Sequence, residues 1–177
     1  MVGGLGGLVN CGTDSRDLRL LISRDVCGPV IITSVWRLLI GDLYPDAEFS
    51  EPAKEAVFWQ IEKALGLPVP LDLVELLRET NGVANEYGDA VVWSAERIVE
   101  DNLAIRAEPD YRELYAPFDD LLFFGDSDMG PQFAYVHTGY GAGIVVWDHE
   151  TDERTLTVVS LRDYLVRCFN DGNDWFR

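Results

Sequence analysis

The run Leu121-Leu122-Phe123-Phe124 breaks off into Gly125-Asp126-Ser127-Asp128-Met129-Gly130, and this junction constrains the fold more than any other segment. Four consecutive large apolar residues bounded by glycine and aspartate read as a strand buried on both faces that delivers a polar loop. Two more apolar runs follow, Phe133 to Val136 and Gly143 to Trp147, and Thr155 to Val159 comes after an acidic turn. Glycine-bearing turns of hairpin length separate them, so consecutive strands pair antiparallel in a meander. The loop carries carboxylates without a catalytic partner, which points to a binding scaffold.

Helical signals flank this block. Ser50 stands where an N-cap is expected, with Pro52 in the first turn, and Ala53, Val57, Phe58, Ile61, Ala64 and Leu65 recur at helical spacing up to Gly66. After Pro68 and Pro70, the spacing of Leu71, Val74 and Leu77 predicts a second helix, with Asn81-Gly82 tolerating a left-handed conformation at its end. Ala90 to Trp93 reads as a strand, and Ser94 caps a helix through Ile98, Val99 and Leu103. Residues 107–118 have no clean period. Ser160 with Asp163 resembles a capping box and opens a last helix that turns Leu161, Tyr164, Leu165, Cys168 and Phe169 to the core. The fold class is therefore α+β, with a central antiparallel sheet of about four to six strands flanked by helices. Residues 1–34 lack a sustained period and read as a flexible N-terminal extension, and residues 35–177 read as a single domain; Val35 is a candidate initiation site.

Composition narrows the function classes. The chain has 177 residues with 47% hydrophobic content, enough for one sizeable core, and carries 14 basic against 31 acidic side chains, a net charge of −17. Both halves are acidic, so no tail accounts for the balance. Such a field repels phosphate backbones and anionic lipid, which argues against nucleic-acid or membrane partners and for a basic protein partner. Cys11, Cys27 and Cys168 are widely spaced, which suggests neither a disulfide framework nor a zinc site and fits a reducing cytoplasm. No apolar run approaches the roughly 18 residues of a membrane span, and no basic residue precedes Arg16 to make a signal peptide. Twelve of the basic residues are arginine, a skew of GC-rich codons that hints at a bacterial source.

Chemistry-bearing clusters are incomplete. The Asp126 loop lacks the calcium pattern, because Gly130, Pro131 and His137 occupy positions where ligands and the obligatory glycine belong. Asp148, His149, Glu150, Asp152 and Glu153 crowd one tight turn, point in diverging directions and have no second histidine nearby. Gly139, Gly141 and Gly143 precede a strand, not a helix, so no phosphate-binding fingerprint is formed. Asp119 and Asp120 form a carboxylate pair of the kind glycosidases use, in a chain where such pairs are common. No catalytic residue, no metal site and no cofactor is expected. The tryptophans at 36, 59, 93, 147 and 175 are expected mostly in the core, with Trp93 or Trp147 bordering an exposed patch.

The order of features between Trp36 and about Phe169 resembles the SUKH superfamily, the Smi/Knr-like proteins. It runs from Leu65-Gly66-Leu67-Pro68 through Asn81-Gly82, Ile98 with Asn102, and Leu122-Phe123-Phe124-Gly125-Asp126 with Gly130. It continues through Trp147-Asp148-His149-Glu150 to Leu161 with Tyr164-Leu165. The resemblance implies a mixed fold with a central antiparallel sheet, no catalytic activity, and, in many bacterial members, neutralisation of a toxin encoded nearby; eukaryotic relatives are associated with regulation of cell-wall synthesis. It carries over no invariant active site, and residues 1–34 have no counterpart. The expected role is a cytoplasmic immunity protein that binds and occludes a cognate toxin, a nuclease being the type that an acidic inhibitor fits. The alternatives are a small-ligand sensor, a cell-wall-synthesis regulator or a carboxylate-dependent enzyme. Partner contacts are assigned to the acidic loops after the strands, at Glu86, Asp89, Asp126, Asp128, Asp148, Glu150, Asp152 and Glu153.

Overall fold

The computed structural model describes residues 35–85, 87–127, 130–137, 143–171 and 175–176. The expected extension over 1–34 and the turn around Gly139 and Gly141 lie outside the described residues. The described chain runs α1 (Val35–Leu43), β1 (Glu48–Phe49), α2 (Glu55–Leu65), α3 (Leu71–Glu79), β2 (Val83–Ala84), β3 (Ala90–Val92), α4 (Ala95–Ala107) and α5 (Pro109–Leu114). It continues with β4 (Leu121–Asp126), β5 (Gln132–Val136), β6 (Gly143–Asp148), β7 (Glu153–Val158) and α6 (Leu161–Asn170). This is an α+β fold with antiparallel strands flanked by helices, as the apolar runs predict.

The strands form two sheets, β1-β2-β3 and the meander β4-β5-β6-β7. Their junction follows from one irregularity in β4. Phe123 pairs with Ala134 and Gly125 with Phe133, which leaves Phe124 as an extra residue opposite β5. A bulge of this kind turns a strand's hydrogen-bonding groups to a new neighbour. Here the freed Phe124 carbonyl accepts from the Trp93 N–H at 2.8 Å, tying the end of β3 to β4.

Both faces of β4 are packed, which is why its sequence shows no polar alternation. On one face Phe123 meets Phe118 and Trp147, and α4 docks along the free edge of the strand through Asn102. On the other face Phe124 packs against Tyr135 and the α6 ring of Tyr164. Asn102 is buried; its amide donates to the carbonyls of Ile98 and Phe123 at 2.7 Å each, and its oxygen accepts from the Phe123 N–H at 3.1 Å. This polar residue occupies the buried stripe of α4 together with Ala95, Ile98 and Ile105. Leu103, expected inward, is exposed as a result.

Several local expectations need correction. Ser50 does not cap α2: the helix begins at Glu55 behind Lys54, without a side-chain cap, and the Ser50 N–H instead donates to the Thr80 hydroxyl. The helix α3 ends on an extended Thr80, and the left-handed residue expected within Asn81-Gly82 is Gly82, at φ 100°. A Cβ on Gly82 would stand 3.0 Å from the Val92 carbonyl oxygen, so the turn is pressed against β3. No element is expected over α1, and α5 falls within residues 107–118, which have no clean period. By contrast Ser94 caps α4 by accepting from the Arg97 N–H, and Ser160 caps α6 by accepting from the Asp163 N–H. Trp93 and Trp147 are core residues, and Trp59 on α2 is the tryptophan left 61% exposed.

Candidate functional site

Strand direction alternates through a meander, so the β4–β5 and β6–β7 turns come out at one end of the sheet. Packing brings them together: a Cβ built on Gly130 of the first turn would stand 3.1 Å from Cε1 of His149 in the second. The β2–β3 turn joins the same end because the Trp93–Phe124 bond sets β3 beside β4. Two clefts are shaped between these turns.

The first, of about 360 Å³, lies between the β2–β3 turn, the end of β4, α6 and the C-terminal residues Trp175 and Phe176. Its walls are aromatic. Tyr44 stacks on Phe169 at 4.9 Å, and Phe133 stacks on Trp175 at 5.6 Å with Tyr164 edge-on to both. The enclosed Cys168 thiol is pushed up to about 12 by burial, against hydrogen bonds to Tyr164 and Trp175 that favour the thiolate. At physiological pH this thiol is neutral and no nucleophile. The polar groups of the cleft are Asn85, Asp89, Asp126 and Ser127, with Tyr87 at the mouth, 81% exposed.

The second cleft, of about 400 Å³, is bounded by Pro131, Val146, Asp148, Glu150, Glu153 and His149, and it shares Phe176 with the first. The imidazole of His149 lies edge-on to Trp147. Asp148 accepts from the Glu150 N–H at 2.8 Å, which fixes the turn, while Glu150 and Glu153 are exposed.

The eight carboxylates singled out in the sequence thus have different positions. Asp89 is exposed, and its oxygen accepts from the Asn85 amide at 2.9 Å. Asp126 is half-buried in an ion pair with Arg97, which also binds Asp101 and lies over the Trp93 ring. Burial alone would lower the Arg97 pKa, but these two carboxylates outweigh it and raise it. Asp152 points away from both clefts. Its carboxylate accepts from the Ala116 N–H at 2.8 Å and the Trp147 indole at 2.9 Å, and it pairs with Arg154. Burial pushes the Asp152 pKa up, yet the Ala116, Trp147 and Arg154 contacts together hold it below the ordinary value. Asp152 is thus a structural clasp between the β6–β7 turn and the segment before β4. Glu86 and Asp128 lie outside the described residues.

The pair Asp119 and Asp120 lies at the opposite end of β4, where both favour the charged form of Arg106 against its burial. Arg106 itself donates to the carbonyls of Phe118 and Leu121. Among the described residues no cluster of three or more His, Cys, Asp and Glu side chains is disposed to hold a metal, and no helix is long and apolar enough to cross a membrane. The aromatic members of the site escape sequence reasoning. Tyr87, set between Glu86 and Gly88 in a polar turn, is the one with a visible signal, because an aromatic residue there has no strand or helix face to pack.

No curated protein matches the chain. The model of the SMI1 / KNR4 family (SUKH-1) matches residues 52–167, and the chain belongs to that family.

Proposed function

We propose that this SMI1 / KNR4 family member is a non-catalytic protein-binding protein, an immunity protein that neutralises a cognate toxin by covering its substrate groove. The observation that carries this reading is the gathering of three acidic turns around two clefts that share Phe176. Asp89, Asp126, Asp148, Glu150 and Glu153 reach this one surface from turns far apart in sequence. A toxin that cleaves nucleic acid needs a basic groove for phosphates, and a carboxylate-lined surface on a chain of net charge −17 complements it. The mechanism is occlusion: carboxylates take the place of phosphates, and the electrostatic field steers the encounter. The site of action is the bacterial cytoplasm, which the wide-spaced cysteines fit.

The test is co-expression with the toxin encoded beside this gene, followed by association kinetics at two ionic strengths. Reversing charge at Asp89, Glu150 and Glu153, which are exposed and hold no core contact, is expected to slow association about tenfold or more at low salt and flatten its salt dependence. The melting temperature should not move. Unchanged protection together with unchanged kinetics sinks the acidic-surface reading, and release of a small product from the toxin's substrate by this protein alone sinks the non-catalytic one.

A further inference from the structure

We propose that the first cleft is a receptor for a single basic side chain, an arginine or lysine of the partner protein inserted past Tyr87 and Asp89 with its stem between the aromatic walls; this deepens the occlusion reading and rests on it. Three observations fit that occupant. The volume of about 360 Å³ is of side-chain size, so it takes one long side chain more readily than a folded segment. Tyr44, Phe169 and Trp175 are half-buried in its lining and leave aromatic surface on which an alkyl stem and a guanidinium both pack. The charged groups among its lining residues, Asp89 and Asp126, are both acidic.

The two carboxylates are not equivalent. Asp126 already faces Arg97, whereas the Asp89 carboxylate accepts from the neutral amide of Asn85. Asp89 is therefore the group that selects a cation, and Asp126 contributes an acceptor already oriented by its own ion pair. An apolar anchor would fill the cavity but would desolvate Asp89 without compensation, which disfavours it. A carboxylate-bearing side chain is repelled.

The test needs no toxin. Capped tripeptides with a central arginine, lysine, norleucine or glutamate are titrated into the full chain while the indole N–H resonance of Trp175 is followed by NMR. Saturable shifts are expected with arginine and lysine in the millimolar range, none with glutamate, and at least a threefold weaker response with norleucine. Asp89→Asn keeps the turn, because an Asn oxygen still accepts from Asn85, and should weaken arginine binding at least threefold while leaving the melting temperature in place. Tyr87→Ala should act in the same direction. Equal binding of norleucine and arginine, or no saturable response to either cation, overturns the proposal. The failure of the wider reading looks different: if toxin binding depends on Glu150 and Glu153 but ignores Asp89→Asn and Tyr87→Ala, the cleft is no receptor while occlusion stands. If the cationic peptides bind and no toxin does, the receptor stands without occlusion.

Discussion

The Tyr164 hydroxyl fills the space that a side chain on Gly125 would need: a Cβ there would stand 2.9 Å from that oxygen and 2.5 Å from the carbonyl oxygen of Val91. The same hydroxyl donates to Val91 at 2.8 Å, so β3, β4 and α6 converge on one point beside the aromatic cleft. Glycine after Phe124 is thus required by close approach and not by a left-handed turn. Gly125→Ala should destabilise the fold by about 1–3 kcal/mol, the usual cost of overpacking, and Tyr164→Phe by about 1 kcal/mol for the lost hydrogen bond. Urea midpoints measure both. A Gly125→Ala midpoint equal to wild type would mean that β3 moves away freely, contrary to the Trp93–Phe124 bond.

Asn102 is the polar residue that joins α4 to β4. Asn102→Ala strands the N–H and the carbonyl of Phe123, two groups it now satisfies. Each stranded group costs about 1–3 kcal/mol, so a loss on the order of 3 kcal/mol is expected in chemical denaturation. A loss below 1 kcal/mol would show that water replaces the amide, and that the site is not dry.

The Asp152 clasp makes a pH-dependent contribution of defined sign. Its folded pKa lies below the unfolded carboxylate value, so its stabilisation is fully present above about pH 4 and is lost as pH falls through the folded pKa. Asp152→Asn tolerates the observed φ of 58° and isolates the charge. The melting-temperature gap between wild type and this variant should be widest near neutrality and shrink below about pH 4, with Trp147 fluorescence as the probe. A gap that is constant down to pH 2 removes the electrostatic account.

Glu79 closes α3 and also opens α1. Its carboxylate accepts from the N–H groups of Val35, Trp36 and Arg37 at 2.8–2.9 Å, satisfying donors that a helix start leaves without partners and placing negative charge at the favourable end. Glu79→Ala should cost about 0.5–2 kcal/mol, as losing a cap does. A chain of residues 35–177 behind an initiator methionine should melt cooperatively near the full-length temperature, because this cap comes from within that segment. Loss of the cooperative transition in calorimetry would refute independent folding.

The sequence by itself determined what depends on neighbours along the chain. Apolar runs between glycine-bearing and acidic turns placed β4 to β7, helical spacing placed α2, α3 and α6, and the Ser94 and Ser160 caps follow from side chains reaching their own helix starts. Residues such as Gly125 and Asn102 were legible as features, while their reasons, a crowding tyrosine and a stranded strand edge, come from elements elsewhere in the chain. The short α5 was silent because six residues bury little and leave no repeat to read. Tertiary structure alone decided which carboxylates share a surface. It turned Asp152 inward to Trp147, paired Asp126 with Arg97, and left Asp89, Glu150 and Glu153 at the solvent. The physical reason is that a carboxylate's exposure depends on which donors fold against it, and those donors arrive from segments with no fixed sequence distance.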